Sequence, residues 1–133
     1  MTKKTKRSIQ WVKKTEKQKN AGIHLIVEFW NGKIIEDPKK IEKILLEAVK
    51  RAKSTPLKTV INKFSPQGIT GVVLLAESHI AIHAWPEINY LAIDIFTCGD
   101  KAMPYRAFEY FKKVFKPEKI EIREIKRGKI HVV

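Results

Sequence analysis

The chain is poor in cysteine and lacks long apolar runs, and both absences restrict its class. Cys98 is the one cysteine among 133 residues, so no intrachain disulfide can form and a reducing, cytoplasmic compartment is expected. No apolar stretch approaches the roughly 20 residues that a membrane-spanning helix needs. The basic N-terminus is not followed by the apolar segment of a secretory signal peptide. The length predicts a single domain, and the lack of a membrane-spanning stretch predicts that this domain is soluble.

Acidic residues are scarce at the N-terminus. Residues 1–20 contain eight Lys and Arg but a single acid, Glu16, and so hold more than half of the formal charge of +13. We expect a disordered basic arm over residues 1–20 and a single domain over residues 21–133. The arm is interpreted as a solvated tail, and nucleic-acid binding is the alternative.

Apolar periodicity predicts six strands and two helices in the order β-α-β-β-β-β-α-β. The first helix begins at Asp37-Pro38, where a carboxylate can cap the helix and proline suits its first position, and it ends near Lys53. The second begins near Pro104 and presents three phenylalanines to the core. The predicted strands cover about residues 23–30, 57–64, 69–76, 79–85, 90–96 and 119–125.

This order, with its short loops, predicts an α/β (α+β) fold. Its architecture would be a two-layer sandwich in which two helices cover one face of an antiparallel sheet. Alternation along residues 79–85 places His79, Ala81, His83 and Trp85 on one face of the sheet. If the face without helices is apolar, a second copy must cover it. We therefore expect a homodimer with the two sheets face to face.

Side chains with catalytic potential are concentrated between residues 75 and 99. Ser78, His83 and Asp94 suit a hydrolase triad, although the Gly-x-Ser-x-Gly pattern of a nucleophile elbow is absent. Cys98 and His83 suit a thiol nucleophile pair, which requires a lowered thiol pKa. Each residue also has an ordinary structural explanation, since a lone cysteine on a strand is commonly a small buried hydrophobe.

A metal site is a third possibility in the same region. His79, His83 and Glu87 are spaced by four residues and could share one strand face. A four-residue step spans roughly 13 Å along a strand, which is too far for ligands of one ion. We therefore expect no metal.

The combined sequence string is more specific than its parts. It reads Ala-Glu-Ser-His-Ile-Ala-Ile-His-Ala-Trp-Pro-Glu over residues 76–87 and Ala-Ile-Asp-Ile-Phe-Thr-Cys-Gly over residues 92–99. This string resembles the signature of the small prokaryotic S-adenosylmethionine decarboxylases. The resemblance extends from about Gly22 to Gly128 and includes Gly-Ile-His-Leu-Ile-Val-Glu-Phe at its start and Phe-Ser-Pro-Gln-Gly-Ile-Thr-Gly-Val-Val from residue 64.

The resemblance implies a proenzyme that cleaves itself between Glu77 and Ser78. The Ser78 hydroxyl would attack the Glu77 carbonyl to form an ester, and elimination and hydrolysis would leave a pyruvoyl group and ammonia. Because a pyruvoyl group has no amine, it exists only at a new N-terminus, so the products would be a β chain of residues 1–77 and an α chain of residues 78–133. The pyruvoyl cofactor would form a Schiff base with the substrate amine and accept electrons as CO₂ leaves.

The resemblance also implies roles for individual residues. His83 would be the processing histidine, and Thr70, where the family often has serine, would help to stabilise the oxyanion of the acyl shift. Cys98 would return a proton to the substrate carbon and act mainly in turnover. Glu87 would bind the ribose hydroxyls, and Phe64 would stack on adenine.

The predicted function is decarboxylation of S-adenosylmethionine, which supplies the aminopropyl donor for spermidine. Two alternatives remain open, namely an arginine decarboxylase on the same fold and a nucleic-acid-binding module that uses the basic arm. Trp85-Pro86-Glu87 and Phe64 favour the nucleoside substrate.

Overall fold

The computed structural model of the chain describes residues 20–129, so the predicted basic arm lies, apart from Asn20, outside the described residues. The elements follow the predicted order. They are β1 (Asn20–Trp30), α1 (Pro38–Arg51), β2 (Pro56–Lys63), β3 (Ile69–Leu75), β4 (His79–Trp85), a 3₁₀ turn (Pro86–Ile88), β5 (Tyr90–Thr97), α2 (Pro104–Phe115) and β6 (Lys119–Lys129). None of the helices within this part of the chain is long and apolar enough to cross a membrane.

The six strands form one antiparallel sheet in the order β2-β3-β4-β5-β1-β6, with both helices on one face. The predicted two-layer α/β (α+β) fold is confirmed. Two strands are longer than predicted, because β1 and β6 pair with each other over their whole length, from Asn20 opposite Lys129 to Trp30 opposite Lys119. This pairing extends β1 back to Asn20 and β6 forward to Lys129.

The helices begin where their sequences predict. Pro38 occupies the first turn of α1, and the Asp37 carboxylate accepts a hydrogen bond from the Lys39 amide at 3.0 Å. The helix ends at Arg51 rather than near Lys53, because Lys53 adopts a positive φ of 54° that stops the helix. Of the three phenylalanines that α2 was predicted to present to the core, Phe111 and Phe115 are fully buried. Phe108 is partly buried.

One apolar core lies between the helices and the sheet. Ile80 and Ile82 of β4 are completely buried in it, whereas His79 and His83 are partly exposed on the opposite face. The predicted alternation is thus confirmed. Each fully buried side chain of this size stabilises the fold by about 1.5–3 kcal/mol.

The sheet face opposite the helices, which we call the free face, mixes apolar, aromatic and ionisable side chains. Val60, Leu74, Trp85 and Ile125 are between 42% and 56% exposed there. Such exposure is compatible with a covering second copy. The homodimer itself stays a prediction.

Candidate active site

The predicted cleavage site lies in the short loop between β3 and β4. The loop is closed by a hydrogen bond that the Leu75 amide donates to the Ser78 carbonyl at 2.8 Å. Glu77 and Ser78 are both partly exposed. The peptide bond between them therefore joins two strands without belonging to the ladder of either.

Cys98 contacts the carbonyl of this peptide bond. Its thiol Sγ donates a hydrogen bond to the Glu77 carbonyl oxygen at 2.8 Å, across 21 residues of sequence. Cys98 follows the end of β5, and Gly22 of β1 packs against it so closely that an added Cβ would lie 2.6 Å from the Thr97 oxygen and 3.2 Å from the Cys98 Cβ. Only glycine permits this approach.

The Cys98 thiol is held in its protonated form. Burial, and secondarily the negative charge of Glu77, raises the thiol pKa above its ordinary value. A thiol nucleophile needs the opposite shift, so the structure argues against the hypothesis of a Cys98–His83 nucleophile pair. A proton donor needs a protonated thiol, which the site supplies.

The side chain of Ser78 lies near the ring of His79. The Ser78 Oγ is 3.5 Å from His79 Nδ1. Burial lowers the His79 pKa, as do the neighbouring His24 and Arg127, while Asp94 acts in the opposite direction. The structure does not bring the alternative triad of Ser78, His83 and Asp94 together. Asp94 accepts a hydrogen bond from His24 at 2.9 Å, and His83 Nδ1 lies 3.3 Å from the Thr70 hydroxyl.

Four of the predicted residues meet at the far end of β4. Thr70 stands directly opposite His83 in the β3–β4 ladder, and its Oγ1 lies 3.3 Å from His83 Nδ1. Both side chains line an open cleft of about 250 Å³. The cleft is lined by Phe64, Gln67, Gly68, Thr70, His83, Ala84, Trp85 and Glu87.

The loop that carries Phe64 is held in place by Glu36, a residue that the sequence analysis did not single out. The Phe64 amide donates to the Gly68 carbonyl at 2.9 Å, which closes the loop. The Gly68 amide in turn donates to the Glu36 carboxylate at 2.8 Å. Glu36 lies between β1 and α1, 32 positions before Gly68, so the local sequence does not predict this contact.

The site residues thus form two clusters at opposite ends of β4. We call Glu77, Ser78, His79 and Cys98 the cleavage cluster, and Phe64, Thr70, His83 and Glu87 the binding cluster. His83 lies four positions after His79 on β4, a step of roughly 13 Å along a strand. Within one chain the structure therefore brings Cys98 to the scissile bond and does not bring His83 there.

The described part of the chain contains no cluster of side chains suited to hold a metal ion. Among residues 20–129, no three His, Cys, Asp or Glu side chains lie close enough to hold one ion. His79, His83 and Glu87, the set weighed from the sequence, spread along β4 and the turn after it.

Comparison with known proteins places the chain among decarboxylases. Residues 23–128 match the family described as S-adenosylmethionine decarboxylase. A relative from Methanococcus maripaludis, strain C5, named S-adenosylmethionine decarboxylase proenzyme, is 47% identical over 116 residues, covering 86% of this chain and 95% of the relative. A relative of the same name from Thermosipho melanesiensis is 42% identical over 113 residues, covering 84% of this chain and 87% of the relative.

A solved structure agrees with these sequence matches. The crystal structure of adenosylmethionine decarboxylase from Aquifex aeolicus superposes with a TM-score of 0.78 at 36% identity, covering 86% of this chain and 96% of that one. Identity at this level over most of both chains, together with the shared fold, establishes common ancestry. The chain belongs to the S-adenosylmethionine decarboxylase family.

Proposed function

We propose that the chain is a proenzyme that cleaves itself between Glu77 and Ser78 and then decarboxylates S-adenosylmethionine. The observation that carries the proposal is the hydrogen bond of the Cys98 thiol to the Glu77 carbonyl oxygen. It places the one cysteine of the sequence on the one peptide bond that the family resemblance marks for cleavage.

In the first step the Ser78 Oγ attacks the carbonyl carbon of Glu77. The carbonyl electrons move to oxygen, where the Cys98 thiol already donates a hydrogen bond that stabilises the developing negative charge. Collapse of this adduct breaks the C–N bond, and the proton lost by the Ser78 hydroxyl is transferred to the departing nitrogen. The product is an ester between the Glu77 carbonyl and the Ser78 side chain.

In the second step the Ser78 α-proton is removed and the Cβ–O bond breaks. The electron pair of the Cβ–O bond leaves with the new main-chain carboxylate of Glu77. The dehydroalanine that remains is hydrolysed to a pyruvoyl group and ammonia. The loop position fits this change, because β3 keeps its ladder with β2, and β4 its ladder with β5, after the loop opens. When present, the pyruvoyl carbonyl supplies an electron-withdrawing group for loss of CO₂.

Substrate recognition is assigned to the binding cluster. Phe64 is 51% exposed and offers an aromatic face to adenine, and a cationic sulfonium is attracted to such a ring. Glu87, in the 3₁₀ turn beside the cleft, offers a carboxylate to the ribose hydroxyls. The product would serve as the aminopropyl donor for spermidine synthesis.

The distance between the two clusters supports a homodimer. A two-fold axis that lies between facing sheets and runs across the strands would reverse β4 of one copy over β4 of the other. Such packing would bring the binding cluster of one copy to the cleavage cluster of the second copy and cover the exposed apolar side chains of the free face. His83 would then act on the Ser78 of the second copy.

A complementation experiment tests this arrangement. Ser78→Ala and His83→Ala chains of different mass are expressed separately and together, and cleavage is read by denaturing gel. Alone, neither should be cut. Together, the His83→Ala chain should be cut, because its intact Ser78 meets an intact His83. An uncut mixture would reject the shared site, and cleavage of His83→Ala alone would assign the base to His79.

The proposed function itself is tested on the parent chain. Purified protein should give two chains, and mass spectrometry of the smaller chain should show a pyruvoyl group in place of an N-terminal serine. Ser78→Ala should stay whole. The cleaved enzyme should release CO₂ from S-adenosylmethionine and little from arginine, and a single uncleaved band after prolonged incubation in native buffer would contradict self-cleavage.

A further inference from the structure

The residues just before the scissile bond are held by a residue, Thr55, that no step above uses. The Thr55 amide donates to Glu77 Oε1 at 2.9 Å, and the Thr55 hydroxyl donates to Glu77 Oε2 at 3.2 Å. The Thr55 carbonyl accepts a third hydrogen bond, from the Ala76 amide at 2.9 Å. One residue therefore makes three bonds to the two residues that precede Ser78.

Thr55 is well placed to hold Glu77 still. It precedes Pro56, the first residue of β2, and a residue before proline is restricted to an extended backbone. Both carboxylate oxygens of Glu77 accept from it, and hydrogen bonds to an ionised carboxylate are stronger than neutral ones. Glutamate suits position 77 because it offers two charged acceptor oxygens, one to the Thr55 amide and one to the Thr55 hydroxyl.

The hydrogen bonds of Thr55 to the Glu77 side chain also restrict the Glu77 main chain. Ala76 and Glu77 lie in a bend outside both strands, so no ladder fixes the plane of the scissile peptide. Glu77 is instead held at two points, by Thr55 at its carboxylate and by Cys98 at its carbonyl oxygen. Release of the first point would let the carbonyl rotate away from the thiol.

We propose that Thr55 is a positioning residue that keeps the Glu77 carbonyl oxygen on the Cys98 thiol for self-cleavage. The inference rests on the proposed function. After cleavage Glu77 ends the β chain, and the same three bonds would keep its new terminal carboxylate beside Cys98. A negative charge at that place favours the protonated thiol, the form that returns a proton to substrate.

The test compares three threonine variants. Thr55→Val removes the hydroxyl at nearly constant volume, Thr55→Ser keeps it, and Thr59→Val makes the same change elsewhere in the same region, at a partly buried site in β2. The half-time of proenzyme cleavage, followed by intact mass, should lengthen roughly three- to tenfold in Thr55→Val, because the hydroxyl's bond to Glu77 is lost while the bond of the Thr55 amide remains. Thr55→Ser and Thr59→Val should cleave within about twofold of the parent.

A second measurement separates positioning from a general loss of structure. Protonation at the pyruvoyl carbon instead of the substrate carbon would convert the N-terminal pyruvoyl group of the α chain to alanine. Once cleaved, Thr55→Val should accumulate such inactive α chains faster per turnover than Thr55→Ser, because a displaced thiol would deliver its proton to the substrate carbon less reliably. Should Thr55→Val fail to fold, Glu77→Ala, which removes both acceptor oxygens, takes its place and should show the same two changes. Cleavage at the parent rate in Thr55→Val, with Ser78→Ala uncut, would overturn the role of Thr55 and leave the proposed function standing. A parent chain that never cleaves would overturn the proposed function instead.

Discussion

The cleavage and binding clusters lie at the two ends of the same strand, yet they are built differently. In the cleavage cluster the Glu77 carbonyl and carboxylate both have partners, and the nearby Cys98 is partly buried. In the binding cluster Phe64 and Glu87 lie on connecting segments beyond the strands and are largely exposed. Bond-making groups are thus fixed by several contacts, whereas groups that recognise a ligand lie on more open segments.

This difference indicates what each cluster lacks. The cleavage cluster has a nucleophile and a hydrogen-bond donor for the oxyanion but offers no cleft large enough for a nucleoside, since the cavity beside Cys98 has a volume of only about 70 Å³. The binding cluster has a cleft of about 250 Å³ but no electrophile. The residues proposed to recognise substrate, Phe64 and Glu87, should therefore affect turnover without affecting self-cleavage, whereas Ser78 and Cys98 of the cleavage cluster should affect self-cleavage. Three substitutions test this.

The largest effect is expected in the cleavage cluster, from Cys98→Ala. Loss of the proposed proton donor should lower the rate of decarboxylation by about 10²–10⁴-fold. The sequence predicted a role mainly in turnover, but the contact with the Glu77 carbonyl adds an effect on maturation. Self-cleavage should slow roughly 10- to 100-fold, because one donor to the oxyanion is lost. Time courses of CO₂ release and of chain cleavage measure the two effects separately.

The pH dependence provides a control for this variant. Because the Cys98 pKa is raised, the parent should keep its proton donor through neutral pH and lose activity only above the ordinary range of a thiol. That alkaline decline should be missing from the residual activity of Cys98→Ala. If the variant turns over at the parent rate, Cys98 is a packing residue and the assignment fails.

A smaller effect is expected in the binding cluster, from Glu87→Ala. Hydrogen bonds to a charged group contribute about 1.5–3 kcal/mol, so kcat/KM should fall about 10- to 100-fold, mostly through a higher KM. Self-cleavage should keep the parent rate, because no substrate is bound at that stage. Glu87→Gln, which retains an acceptor, should lose less. Slow maturation of Glu87→Ala would show that the two clusters are not separable in this way.

The fold could be predicted from the sequence because its signals are local. Alternation in β4 and the Asp37-Pro38 start of α1 depend on neighbouring residues alone, and both are confirmed. The extra length of β1 and β6 could not be predicted, because it arises from pairing between segments about a hundred residues apart. Strand order has the same origin, since β1 lies between β5 and β6.

The site was predictable to a lesser degree. The sequence singled out Ser78, His83 and Cys98 through the resemblance of the string that contains them, but a string does not say which of them meet. Thr55 and Glu36 were missed, because each acts through a contact with a residue 22 or 32 positions away. A threonine before proline and a glutamate before aspartate carry no chemical signature of their own.

The smallest of the three effects is expected from Glu36→Ala, which acts on the binding cluster from outside the cleft. Glu36 accepts the amide hydrogen of Gly68, and the Gly68 carbonyl accepts that of Phe64. Without the carboxylate, the loop should hold Phe64 less firmly over the substrate, and kcat/KM should fall about three- to tenfold, again through KM. Glu36→Gln, with one oxygen left to accept the bond, should lie close to the parent, and Glu42→Ala on the exposed side of α1 provides the matched control. Chain cleavage should be unaffected, since the contact lies at the opposite end of β4 from Ser78. A change in cleavage rate without a change in KM would instead mean that Glu36 supports the cleavage cluster and that the binding cluster does not depend on it.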